Sequence, residues 1–148
     1  MQSWTVTDRL APCGLRCDAC LARRGGEIET LAASLRQRLG NFSAMWERFS
    51  GMDPAFADYP AFERLLDHLG KGRCGGCRSG ECLLEGCPVQ PCAAAKNVDF
   101  CYRCDGFAAC GALDAMPFLK DRWRKANLRM AEIGPEAYWL EVRDTPRY

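Results

Sequence analysis

GKGRCGGCRSGECLLEGCPVQPCAAAKNVDFCYRCDGFAAC, residues 70–110, is the stretch on which the fold turns. It holds eight of the eleven cysteines: Cys74, Cys77, Cys82, Cys87, Cys92, Cys101, Cys104 and Cys110. It is rich in Gly, Pro and charge and poor in large aliphatic side chains. Such a segment buries too little apolar surface to offset its chain entropy, so something other than a core must hold it. Cys77, Cys82, Cys87 and Cys92 recur every five residues. Five is neither a helical nor a strand period. The expectation is a loop wrapped round metal, with little regular structure.

The other three cysteines, Cys13, Cys17 and Cys20, lie 53 residues upstream of this run. Three pairs have the Cys-x-x-Cys form: Cys17/Cys20, Cys74/Cys77 and Cys101/Cys104. A tetrahedral ion with Zn–S bonds of about 2.3 Å needs sulfurs roughly 3.8 Å apart, a separation one tight turn sets. Gly75-Gly76 allows such a turn without steric cost. Disulfides are the competing use. A reducing cytosol disfavours them, and an odd count leaves one thiol over. A redox dithiol expects a βαβ setting that the sequence lacks.

Sequence alone does not pair the ligands. Eleven sulfurs complete two four-thiolate sites with three left over, or three sites if His68, the sole histidine, joins. Taken singly, His68 fits a partly exposed helical residue, and Cys82 or Cys110 fits a small buried hydrophobe. Cys13-x-x-x-Cys17-x-x-Cys20 has the cluster spacing of radical S-adenosylmethionine enzymes, but the strand–helix alternation of their barrel is missing. The same triplet suits a [4Fe–4S] cluster with a distant fourth ligand, or a zinc if all three share one helical face. All eleven cysteines are candidate ligands, for two or more zinc ions or, alternatively, for an iron–sulfur cluster.

Outside the cysteine run the pattern is helical. Residues 27–39 place Ile28, Leu31, Leu35 and Leu39 on one face, between Gly25-Gly26 and Gly40. Phe42, Met45, Trp46 and Phe49 form a short segment ended by Gly51. Asp53-Pro54 suits a cap, and Pro60 opens a helix carrying Phe62, Leu65, Leu66 and Leu69. Pro117 starts a long helix with Leu119, Trp123, Ala126, Met130 and Ile133 in register, stopped by Gly134-Pro135. The helices of 27–69 and 117–142 are expected to pack together, with the four tryptophans as packing residues. Arg143 to Tyr148 is expected to be loose.

Residues 1–148 are therefore expected to form one mainly α domain, with an irregular, metal-stabilised segment at 70–110. The N-terminal cysteines are expected near the second group, since three thiolates lack a fourth. A net charge of +1, from 20 basic and 19 acidic residues, gives no pull toward nucleic acid or anionic membrane. Lys120, Arg122, Arg124, Lys125 and Arg129 read as a solvated helix face, or as a contact for an acidic partner. The start has no apolar run of the secretory type, and no stretch suits a membrane span, so a cytoplasmic protein is expected. With one histidine and no phosphate loop, nucleophile elbow or metalloprotease motif, no catalytic constellation is recognisable.

Cys13-Gly14-Leu15-x-Cys17-x-x-Cys20 resembles the opening of a cysteine-rich bacterial and archaeal family of unknown function. The likeness runs on through Cys74-Gly75-Gly76-Cys77-Arg78 and Cys87-Pro88-Val89-Gln90-Pro91-Cys92. It ends in Cys101-Tyr102-Arg103-Cys104-Asp105-Gly106-Phe107 with Cys110, where Ala108-Ala109 departs from the family's usual Phe-Pro-Cys. The resemblance implies a metal-binding domain and supplies no activity or substrate. Cys82 matches less clearly than the other ten. A zinc-stabilised structural or interaction module with a possible protein partner is the leading expectation. An iron–sulfur protein for electron transfer or redox sensing is the alternative.

Overall fold

The computed structural model describes residues 3–148. Met1 and Gln2, the first residues of the start weighed above as a leader, lie outside the described residues. The helices begin and end where the punctuation places them. Helix α1 spans Val6–Arg9 and α2 spans Glu27–Leu39, the latter stopped by Gly40 at φ 51°. Helix α3 covers Trp46–Ser50 and α4 covers Tyr59–Leu69, with Pro60 in its first turn. Asp53 accepts a hydrogen bond from the Ala55 N–H (2.9 Å), so the expected cap is present. Helix α6 (Pro117–Ile133) and α7 (Pro135–Val142) meet at Gly134, whose φ of 85° turns the chain between them. No strand occurs among the described residues, and no helix is long and apolar enough to cross a membrane.

The cysteine-rich segment is more regular than expected. Val89–Ala95 forms a further helix, α5, and short 3₁₀ turns occupy Cys77–Ser79, Cys101–Arg103 and Phe107–Ala109. The physical reason is local burial. Val89, Ala93 and Phe100 are buried despite the scarcity of aliphatic residues around them, and they give α5 a face to pack.

The two helical regions do not pack into one bundle, which corrects the expectation. Helix α2 packs on α4 and α6 on α7, while α6 also lies on the Cys101–Arg103 turn and α7 on α1. Arg36 clamps the first pair through Glu63 (3.1 Å) and Asp67 (2.8 Å). Phe42, Phe49, Phe56 and Tyr59 close one end of it, with Phe42 4.8 Å from the Tyr59 ring. With α4 alone beside it, α2 buries only Ala32. Of the stripe read from the sequence, Leu31 is 66% and Leu35 42% exposed.

Between the pairs lies the N-terminal loop, held by a buried ion pair. Arg16 Nε donates to Asp18 Oδ1 (3.0 Å), Nη2 to Glu27 at the start of α2 (2.8 Å), and Nη1 to the Thr145 carbonyl beyond α7 (2.9 Å). Trp139 of α7 donates its indole N–H to Asp18 Oδ2 (2.9 Å). The C-terminal residues are accordingly not loose. Arg122 Nη2 donates to the Arg147 carbonyl (2.8 Å), Arg147 Nη1 to the Arg16 carbonyl, and the Leu21 N–H to Tyr148 Oη (3.2 Å). These partners, up to 131 residues away in sequence, are invisible to a local reading.

The basic stretch of α6 is largely matched within the chain. Lys120 pairs with Asp114, Lys125 with Asp121 (2.8 Å), and Arg129 with both Glu132 (2.7 Å) and Glu141. Arg124 donates to the Ala108 carbonyl (2.9 Å).

Candidate metal centre

Cys13 sits in the middle of the core. It is buried with Ala11, Val89, Leu113 and Trp123, and Cys17, Cys77, Cys87, Cys101 and Cys110 pack against the same cluster. The loop carrying Cys13 is tight: Gly14 N–H bonds the Ala11 carbonyl (2.8 Å), and Cys17 N–H bonds the Arg9 carbonyl (2.7 Å). The two cysteine groups meet across the intervening helices. Cys74 N–H donates to the Ala22 carbonyl (2.8 Å), Arg24 N–H to the Cys74 carbonyl (2.9 Å), and Cys101 N–H to the Pro12 carbonyl (3.0 Å).

Two of the three Cys-x-x-Cys pairs, Cys17/Cys20 and Cys101/Cys104, close as turns. Cys20 N–H bonds the Cys17 carbonyl (3.1 Å) and Cys104 N–H the Cys101 carbonyl (3.0 Å). Backbone N–H groups then aim at sulfur. Gly76 N–H lies 3.3 Å from Cys74 Sγ, Cys77 N–H serves the Cys17 sulfur, and Gly106 N–H serves Cys104. Such donors favour thiolate over thiol.

The sulfurs fall into two neighbourhoods. Cys13 faces Cys17, Cys87 and Cys101, while Cys77 faces Cys17, Cys13, Cys82 and Cys87. Cys101 faces Cys110, Cys92 and Cys104, and Lys96 approaches the same three, with Nζ 3.2 Å from Cys104 Sγ. Cys13, Cys17, Cys77 and Cys87 thus share one neighbourhood, bordered by Cys82, and Cys92, Cys101, Cys104 and Cys110 another, which adjoins the first where Cys101 nears Cys13. Cys20 lies under the tail, with the Tyr148 hydroxyl 3.7 Å from its sulfur. Cys74 is buried and Cys82 exposed. His68 is exposed on α4, as its helical reading expects. Among the described residues no three cysteine, histidine, aspartate or glutamate side chains converge closely enough to hold an ion as they are placed. All eleven cysteines are free thiols.

Burial governs the chemistry of the first set. Desolvation pushes the Cys13 thiol up to about 12 and raises Cys17 and Cys77 as well. Cys101 is also raised by burial. Cys104 goes the other way, lowered by the Gly106 N–H and then by Lys96.

Two buried donors lack an acceptor: Trp123 Nε1 and Arg23 Nε. Trp123 stands beside sulfur. The Trp123 indole faces Cys101. The Arg23 guanidinium lies against Gly76, its cation over the Trp4 ring at 4.6 Å. Sequence reasoning passed over Arg16, Asp18, Arg23 and Lys96. The only local hint was polar residues set among cysteines, which is equally common on a surface.

Asn127, fully buried on α6, joins the second cysteine turn to that helix. Its Oδ1 accepts from the Tyr102 N–H (2.9 Å) and its Nδ2 donates to the Trp123 carbonyl (3.0 Å). Asn127→Ala leaves the Tyr102 N–H unpaired, at a cost of about 1–3 kcal/mol. The expected result in urea denaturation is a lower midpoint with an unchanged slope. An unaltered midpoint would show that the bond carries no weight.

A family model described as "Protein of unknown function (DUF3795)" matches residues 9–115, which include every cysteine. The chain belongs to this family. No curated protein and no solved structure matches it. The DUF3795 match stops before α6, so Trp123 and Asn127, and the tail over Cys20, come from outside the matched region.

Proposed function

We propose that this DUF3795 protein is a metal-stabilised module in which cysteine thiolates hold two or more structural zinc ions. The observation that carries the reading is the buried Trp123 indole N–H, which has no nitrogen or oxygen acceptor and turns toward the Cys101 sulfur. A buried unsatisfied donor costs about 1–3 kcal/mol. A neutral thiol is a weak acceptor, and a thiolate removes the cost. Burial alone opposes ionisation at Cys13, Cys17, Cys77 and Cys101. A bound cation reverses that balance, since a coordinating thiol is deprotonated.

On this reading Cys13, Cys17, Cys77 and Cys87 hold one ion and Cys92, Cys101, Cys104 and Cys110 a second, after side-chain rotations that draw the sulfurs together. Lys96 offsets part of the thiolate charge of the second set. Four thiolates close the coordination sphere and leave no position for a substrate, which marks a structural site. Zinc supplies a cross-link between chain segments there.

The module then displays the apolar flank of the α2–α4 pair. Leu31, Leu35, Phe62 and Leu65 are all exposed, and an exposed apolar patch marks a protein contact. Elemental analysis of protein purified without oxygen tests the metal assignment. Zinc at about two ions per chain is the expected result. Iron with equimolar sulfide and a brown colour would replace it with the iron–sulfur reading, which the Cys13, Cys17, Cys20 spacing favours.

A further inference from the structure

A cavity of about 110 Å³ opens between the Cys13–Cys17 loop, α6, α7 and the tail. Arg16, Arg122 and Arg147 line it with Tyr138 and Thr145, and no carboxylate does. The three cations differ in how they are matched. Arg16 is satisfied by Asp18 and Glu27. Arg122 reaches only the Arg147 carbonyl and lies by the Phe118 ring. Arg147 reaches the Arg16 carbonyl and lies by the Tyr148 ring. Among the described residues neither Arg122 nor Arg147 has a carboxylate at ion-pair distance, while Lys120, Lys125 and Arg129 on the same helix each have one.

Gathering cations round a small cavity costs energy that an anion recovers. Guanidinium forks match the geometry of phosphate and carboxylate groups. The space suits a small group, about the volume of three or four liquid waters. We propose that this cavity binds a small oxyanion, the phosphate or carboxylate group of a ligand, between Arg122 and Arg147. None of the groups it uses is a cysteine, although the loop that lines it runs between Cys13 and Cys17. Arg147 also faces the Cys17 and Cys20 thiols. A guanidinium committed to those sulfurs is the arrangement that absence of anion binding would favour.

The test titrates the full chain with inorganic phosphate and, separately, with acetate, at ionic strength held constant with chloride. Amide resonances and binding heat are followed together. Saturable shifts are expected at Gly14 to Arg16, at Tyr138 and at Thr145 to Arg147. Saturation by phosphate alone assigns a phosphate group, and by acetate alone a carboxylate group. Arg122→Gln is expected to weaken binding roughly ten- to hundredfold, the weight of a charge-assisted hydrogen bond. Arg122→Lys, which keeps the charge and loses the fork, falls between. Shifts that do not saturate, shifts confined to other residues, or an Arg122→Gln protein that binds as well as wild type would overturn the site. The wild-type map decides by itself should a variant fail to fold.

Discussion

If cysteine-bound zinc holds the chain as proposed, treating the purified protein with a chelator is expected to lower its melting temperature more than any single substitution and to disorder residues 70–110. A structural zinc contributes ~10–16 kcal/mol of binding energy, against ~5–15 kcal/mol of net stability for a whole domain. The cysteine segment has little else to replace it. Its buried apolar residues are Val89, Ala93 and Phe100, with Cys74. The α2–α4 pair has its own aromatic contacts and Arg36 clamp, so its helicity should outlast that of α5. Circular dichroism and calorimetry with and without chelator make the measurement. A chelated sample with unchanged ellipticity and melting temperature would sink the reading.

Acidity and alkalinity act on the two states in opposite ways. Metal binding displaces thiol protons, so the ion leaves as pH falls. In the metal-free chain the sign follows from Cys13, whose folded pKa is raised from 9.0 to about 12 by burial. The unfolded chain then loses its proton first. The contribution is present in full below pH 9 and is lost as pH rises toward 12. Stability profiles of loaded and chelated protein should therefore diverge at both ends. Coincident profiles would mean that the loaded form has no metal on these thiols.

Gly14→Ala is expected to cost about 2–6 kcal/mol. Gly14 adopts φ +83°, and an added Cβ would stand 2.5 Å from Ala126 Cβ and 3.1 Å from Met130 Cε on α6. The left-handed conformation strains an L residue by about 1–3 kcal/mol, and overpacking adds about 1–3 kcal/mol. Helix α6 has nowhere to retreat, because Trp123 and Met130 are themselves buried to 1% and 0% exposure. Gly80→Ala is the control. Its φ is +79° with nothing within 4 Å of the added carbon, so it carries the strain without the collision. Urea denaturation of the two variants isolates the contact. Equal losses would show that the loop between Cys13 and Cys17 slides off α6 at no cost.

Helix positions were legible because their signals are local. Gly25-Gly26 and Gly40 bracket α2, Pro60 opens α4, and Pro117 and Gly134-Pro135 bound α6, each by backbone chemistry that needs no partner. The α6 stripe was read correctly, since Trp123, Ala126 and Met130 are all buried. The α2 stripe shares one face as expected yet leaves Leu31 and Leu35 exposed, because periodicity reports that a face exists and not what covers it. For α2 only α4 does. The tail was misread for a related reason. Arg143 to Tyr148 is polar, yet its anchors are Arg16, Leu21 and Arg122, all far away in sequence.

By itself the sequence determined that this chain is helical around a cysteine-rich segment and that Cys17/Cys20 and Cys101/Cys104 close as turns, because caps, turns and Cys-x-x-Cys spacing are short-range geometry. Only the tertiary structure decided which cysteines are neighbours, that Cys13 is central and Cys82 exposed, and that Trp123 turns its indole N–H toward the Cys101 sulfur. Those facts depend on two cysteine groups meeting across a helical insertion. Such a meeting is settled by burial and long-range hydrogen bonds, which no local spacing encodes.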